Sequence, residues 1–366
     1  MSTPCLPGLL PGIIHAVGAD LAPGPSGPAP VSVPQARRAV LVMCDGLGHY
    51  QLSNRLGHAP FLRKMLTQCP DPMRTVVPST TSAALTALGT GLMPGATGVA
   101  GYSMRDPSGE IFNLIDWNGP TSPLSWQSQP TLAERLDRAG ERLTVIQPKQ
   151  YVGSGLTLSA WRGSRPVPAK SLDDRVARAV EESARGEKLV YLYWGDVDRA
   201  GHKYGWHSTR WIEELERFDA AMSQLARSLP TDTLLVITAD HGMIDVTERI
   251  DITARDNLTR DVEVCAGEER ALHLYTSEPE AVAARWRDYL GRRAEVYTRE
   301  EIALSGLLGP LTAWAHSVIG DVMVFPLGTL GIGDSRTMSP GALSLRGLHG
   351  SITPQELDIP LLMEIM

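Results

Sequence analysis

Two short apolar runs, each ending on an aspartate, limit what this chain can fold into. One is Ala39–Asp45 (AVLVMCD), followed by Gly46; the other is Leu234–Asp240 (LLVITAD), followed by His241 and Gly242. Unbroken apolar and β-branched runs of this length fit strands buried on both faces, as in parallel sheets. Parallel strands need long crossovers, and the sequence between the two runs supplies them. Helices are predicted near 51–68, over Thr131–Gly140, over Leu172–Ala184 and over Trp211–Leu229, with strands over Leu143–Ile146 and Leu189–Trp194. The alternation predicts an α/β fold: a doubly wound, mostly parallel sheet with helices on both faces. Asp45, Asp240 and His241 then fall at carboxyl strand ends, where such sheets bind ligands.

The rhythm breaks after Asp245. Short strands are predicted at 262–264, 271–275, 294–297 and 321–325, with a helix over 279–290. Residues 254–338 are therefore read as an inserted α+β lid, leaving 37–253 and 339–366 as the core. Residues 1–36 are rich in Pro and Gly and lack a basic leader segment, so they are read as an extended arm on the surface. Near the end, Thr353-Pro354-Gln355-Glu356 has the form of a capping box, which puts His349 in the loop before a helix.

Composition excludes several classes. A formal net charge of -7 argues against binding nucleic-acid polymers, which need a basic surface. No apolar run approaches the roughly 20 residues of a membrane helix, so no membrane partner is expected. The four cysteines form no CxxC pair, which argues against a zinc knuckle or disulfide framework and fits a reducing compartment, here the cytoplasm. No GxGxxG follows the first strand, which argues against a dinucleotide-binding oxidoreductase.

Four segments offer metal-binding side chains: Asp45; Asp198 and His202; Asp240 and His241; and His349. Asp198-Arg-Ala-Gly-His202 reads as one tight turn. Three Asp and three His make two sets of three N/O ligands, which suits two divalent ions of the Zn²⁺ kind. Between the strands, Val76–Thr81 leads through hydroxyl-bearing residues into the small-residue helix SAALTALGTG, whose free N–H groups favour an anion. The Gly-rich stretch after it brings Tyr102, Asn113, Trp117 and Trp126, as pocket residues or as packing.

At these residues the chain resembles the alkaline phosphatase superfamily, nearest its nucleotide pyrophosphatase/phosphodiesterase branch. The resemblance rests on CDG at 44–46, PSTTSAALTALGTG at 78–91, GVAGYSMRDP at 98–107, DRAGHKYG at 198–205, ADHGM at 239–243 and LHGS at 348–351. It implies one metal held by Asp45, Asp240, His241 and the nucleophile, and a second held by Asp198, His202 and His349. The family's nucleophile stands nine residues before the Thr-Gly of its helix, which gives Thr81 here and is also a metal ligand; Ser79 and Thr80 stay chemically open. The implied reaction is hydrolysis of a phosphodiester or pyrophosphate bond in a small, nucleotide-like substrate through a phosphothreonine. Phosphonate, monoester and sulfate hydrolysis, and a metal-holding binding module, are the rival readings. One departure is Ala84, where the branch carries an Asn that contacts a phosphoryl oxygen; Tyr102 and Asn113 are the substitute donors considered. No Arg stands beside Thr81, which leans toward diesters.

Overall fold

The structure is a computed structural model that describes residues 3–366. Its six-stranded main sheet runs, edge to edge, Leu361–Ile365, Thr233–Thr238, Arg38–Cys44, Leu189–Trp194, Leu143–Gln147, Arg165–Pro168. Five strands are parallel, and Arg38–Cys44 lies at the centre with Ala39 level with Leu189 on one side and Leu234 on the other. Every residue of Thr233–Thr238 is buried, as two covered faces require. Leu361–Ile365 runs antiparallel along one edge, where exposure of its last residues is tolerated. The doubly wound class predicted from alternation is therefore the fold.

Local departures have local causes. The helix expected over 51–68 is broken into His49–Ser53, a 3-10 turn and Pro60–Gln68, because Pro60 has no N–H for a continuing helix. The arm is not extended throughout: Leu9–Ala16 is a helix whose Leu9, Leu10, Ile13 and Ile14 enter the main core. Pro11 lies in its first turn, where a missing N–H costs nothing, so prolines that read as breakers are compatible with a helix here. The Asp198–His202 stretch is not a tight turn but part of the helix Asp196–Tyr204, and the i,i+4 spacing stacks the two side chains on one face. The expected capping box is also different: the Thr353 hydroxyl donates to Glu356 Oε2 at 2.5 Å rather than accepting a backbone N–H.

The 254–338 segment contains a four-stranded antiparallel sheet, ordered Val264–Glu268, Ala271–Tyr275, Val322–Pro326, Ala294–Thr298, with the helix Pro279–Leu290 packed on it. Leu272, Leu274, Trp286 and Val324 give it a core of its own. A further apolar cluster joins it to the first half of the chain through Val77, Phe112, Trp126, Met323 and Phe325. Trp126 is fully buried, sits edge-on to Phe112 and Trp314, and donates to Gly98 O at 2.9 Å, the contacts of a packing residue. A buried ion pair pins the two parts: Arg270 donates to Glu356 from Nε at 3.1 Å and Nη2 at 2.6 Å.

His273 is the second tie. Its Nδ1 accepts from Gly320 N at 2.9 Å and its Nε2 lies 2.8 Å from Ala100 O, which fixes a neutral ring. Burial lowers its pKa to about 4. The unfolded chain, with a pKa near 6.5, binds a proton that the native state refuses, so this group's stability is present above pH 6.5 and lost as pH falls toward 4. The expected loss is about 3 kcal/mol. Urea unfolding of chelator-treated protein across that window measures it, and His273→Gln should flatten the slope.

Candidate active site

The central strand ends at Cys44, and Asp45 and Gly46 follow at its carboxyl edge. Gly46 adopts φ +73°, and a Cβ there would lie 2.8 Å from Asp198 Oδ1, so only glycine lets the helix bearing Asp198 approach this turn. Gly46 N and His241 N each donate to Asp240 Oδ1 at 3.1 Å. These bonds aim the other Asp240 oxygen, Oδ2, toward His241 Nε2 at 3.5 Å, and Asp45 Oδ1 lies 3.5 Å from the same nitrogen. Tyr193, next to last on the neighbouring strand, donates its hydroxyl to Asp45 Oδ2.

Thr81 is the first residue of the helix Thr81–Thr90, and no side chain caps that helix. Its Oγ1 is 3.1 Å from His241 Nε2. The other two candidate hydroxyls face elsewhere. Ser79 Oγ donates to Ser351 O at 2.7 Å, and the buried Thr80 hydroxyl makes no hydrogen bond, to His241 or to any other side chain among the described residues. Of the three, Thr81 is the one beside Asp45, Asp240 and His241.

His349 stacks on His241 with ring centroids 3.6 Å apart. Its Nδ1 is 2.9 Å from Ser79 O, and His202 Nδ1 is 2.7 Å from Gly347 O. In each ring Nδ1 is thereby the donor, and the two Nε2 lone pairs point at one another across 3.2 Å. Asp198 Oδ2 lies 3.3 Å from His202 Nε2, and Asp198 Oδ1 lies 4.0 Å from His349 Nε2. Ligand atoms of Asp45, Asp240 and His241 fall within 4.8 Å of one another, as do those of Asp198, His241 and His349, so His241 stands between the two sets.

This is a set of acceptors facing acceptors. Asp45 Oδ1, Asp198 Oδ1 and Asp240 Oδ2 are buried with no hydrogen-bond donor. Burial first, then the Asp240 and Asp198 charges, push the Asp45 carboxyl well above its usual range. Burial, then His241 and His202, hold His349 well below its ordinary value. Lone pairs and carboxylates that all point inward, with no proton or cation among them, repel; cations at their focus remove the repulsion. The donor set fits divalent ions with mixed N/O ligation.

The structure brings all six predicted ligands and Thr81 together. The two substrate candidates sit differently. Tyr102 is 37% exposed and lies beside Asn113 and Glu268, and burial of its ring raises its phenol pKa. Asn113 spends its carbonyl on a turn, accepting from Ile115 N at 2.6 Å and Asp116 N at 3.1 Å. Among the described residues neither bonds to Thr81. Ala84 is fully buried and offers nothing polar. Two residues were missed. Tyr193 had a signal, a polar-tipped side chain one place from the end of a buried strand. Glu268 had none, because it reaches the site from the inserted sheet.

Fold and geometry define a class: a doubly wound α/β protein with buried carboxylates and imidazoles gathered around a helix-terminal hydroxyl. The model of the Type I phosphodiesterase / nucleotide pyrophosphatase family matches residues 39–351, and the chain belongs to that family. Venom phosphodiesterase CdcPDE of Crotalus durissus collilineatus is 25% identical over 224 residues, 57% of this chain and 26% of that protein. Ectonucleotide pyrophosphatase/phosphodiesterase family member 7 of Rattus norvegicus is 36% identical over 115 residues, 30% of this chain and 24% of that protein. The matches thus span about a quarter of these relatives' length. Among solved structures, murine ectonucleotide pyrophosphatase / phosphodiesterase 5 superposes with TM-score 0.69 at 18% identity, covering 89% of this chain and 88% of that one. Phosphonoacetate hydrolase from Sinorhizobium meliloti 1021 in complex with phosphonoacetate gives 0.71 at 19%, covering 94% and 93%. At these identities the two structures speak for the shared fold. Among the described residues no helix is long and apolar enough to cross a membrane.

Proposed function

We propose that the protein is a phosphohydrolase that cleaves phosphodiester or pyrophosphate bonds of a small, nucleotide-like substrate, with Thr81 as nucleophile and two divalent ions, Zn²⁺ by donor type, as cofactors. The observation that carries this reading is the Thr81 hydroxyl 3.1 Å from His241 Nε2, at an uncapped helix start beside orphaned carboxylate oxygens. Asp45, Asp240, His241 and Thr81 would hold one ion, and Asp198, His202 and His349 the other. Bound there, the ions supply positive charge that acidifies a nearby hydroxyl and offsets charge on the reacting phosphoryl group.

The chain's own residues do the rest. Thr81 Oγ1 attacks phosphorus in line with the leaving oxygen, and its proton leaves the site with the displaced group or with solvent. The first-turn N–H groups of Thr81–Thr90 receive phosphoryl oxygens as negative charge builds on them. The resulting phosphothreonine is hydrolysed by water entering from the side of Asp198, His202 and His349. Gly46 N and His241 N keep Asp240 in position throughout, and Tyr193 does the same for Asp45. The inserted sheet is read as a cap that shapes substrate choice, since Glu268 on one of its strands reaches His349. Four free thiols fit a reducing compartment such as the cytoplasm.

The absence of an Arg beside Thr81 favours singly charged diesters over dianionic monoesters, whereas Ala84 departs from the diesterase branch's Asn. It leaves phosphonates as the second reading, prompted by the neighbour bound to phosphonoacetate. The test is a panel of nucleotide diesters, dinucleoside pyrophosphates, aryl monoesters, aryl sulfates and phosphonoacetate with zinc-loaded protein. The expected result is a kcat/KM at least about tenfold higher for a diester or pyrophosphate than for any monoester, the size of one lost charge-assisted contact. A monoester, sulfate or phosphonate ranking first would overturn the diester reading.

A further inference from the structure

The inserted sheet sends one partly buried carboxylate to the edge of the site. Glu268 ends the strand Val264–Glu268, and its Oε2 lies 3.9 Å from His349 Nδ1. Gly350 is shaped around it: the residue has φ +126°, and a Cβ there would stand 2.9 Å from Glu268 Oε1. Glu268 Oε1 is buried with no donor, and the ion pairs leave it no Lys or Arg partner among the described residues. Arg270, two residues on, is fully engaged with Glu356.

Carboxylate oxygens buried without a cationic partner are costly, and here Asp45, Asp198, Asp240 and Glu268 each bring one to the same region. Asp45, Asp198 and Asp240 carry three negative charges, whereas two divalent ions would bring four positive ones. We propose that Glu268 is the charge-balancing outer carboxylate of the cation centre, a positioning residue that acts on the second ion through His349. Its Oε2 lies on the Nδ1 side of His349, away from the Nε2 that faces His202, so it works from behind the imidazole rather than as a direct ligand. The ring's Nδ1–H is held by Ser79 O at 2.9 Å, so Glu268, at 3.9 Å, acts on the ligand through its charge rather than through a hydrogen bond. The centre is then incomplete without the insert, which ties substrate-facing architecture to metal affinity.

The inference rests on the two-cation reading, and its test separates the two. Zn²⁺ affinities are measured by competition with a chromophoric chelator on full-length wild type, Glu268→Gln, Glu268→Asp and Glu269→Gln, alongside melting curves with and without Zn²⁺. In Glu268→Gln, one of two sites should weaken by about 10- to 100-fold, with the metal-free melting temperature unchanged or raised because a buried unpaired charge is gone. Glu268→Asp keeps the charge and should lie nearer wild type, which also covers the case of a poorly folding Gln variant. Glu269, a buried neighbour paired with Arg249 at 2.9 Å, is the control, and its Gln variant should keep both affinities. Unchanged affinities in Glu268→Gln, or equal losses of melting temperature with and without Zn²⁺, overturn the assignment while the two-cation reading stands. A wild type that binds no Zn²⁺ overturns both.

Discussion

Thr81→Ala is expected to lose at least about 10³-fold in turnover while keeping its bound metal, because the reaction then lacks a nucleophile at the right place and water must attack from an unsuited position. Metal retention follows from the geometry: Asp45, Asp240 and His241 still converge when the hydroxyl is removed. Thr81→Ser should keep part of the rate, since it restores the oxygen without the methyl. Thr80→Ala is the control, because that hydroxyl, unlike Thr81 Oγ1, makes no bond to His241. Steady-state rates on a diester, with metal content measured on the same samples, check all three. A dead Thr80→Ala with an active Thr81→Ala would put the nucleophile one residue earlier. Full activity in both would remove the covalent step and leave direct attack by water.

Removing divalent cations is expected to have an effect as large. Dialysis against a chelator should abolish turnover, on the order of 10³-fold or more, and Zn²⁺ should restore it. The same treatment should lower the melting temperature. At 100 times its Kd, a bound ion contributes about 2.7 kcal/mol to the native state, and without it one oxygen each of Asp45, Asp198 and Asp240 is left buried and unpaired. Elemental analysis of dialysed, untreated protein should find about two ions per chain. Full activity in chelator, with less than one ion bound, would contradict the cation reading.

Much of this site was legible in the chain because its parts sit at strand ends. A run such as Thr233–Thr238 announces a buried parallel strand by composition alone, and such a strand leaves its next residues at the ligand-binding edge. Asp45, Asp240 and His241 are therefore readable one segment at a time. Local reading failed where two states were compatible with the same residues. Asp196–Tyr204 holds Gly201 and a run of charges that suits a turn, and its packing against Thr209–Ser228 makes it a helix. Leu9–Ala16 contains Pro11 and Gly12, and burial of Leu9, Leu10, Ile13 and Ile14 against the core outweighs their cost.

By itself the sequence determined the elements, their parallel alternation and the residue types that can gather around a cation, since these depend on periodicity, turn chemistry and side-chain donors close together in the chain. Only the tertiary structure decided which hydroxyl of Ser79, Thr80 and Thr81 faces His241, that His349 stacks on His241 across more than a hundred residues of sequence, and that Glu268 joins them from a separate sheet. The physical reason is that a side chain's direction is set by the packing of whole elements. The Arg270–Glu356 pair and the apolar cluster around Phe112 and Phe325 fix how the insert meets the core, and no local pattern records that angle.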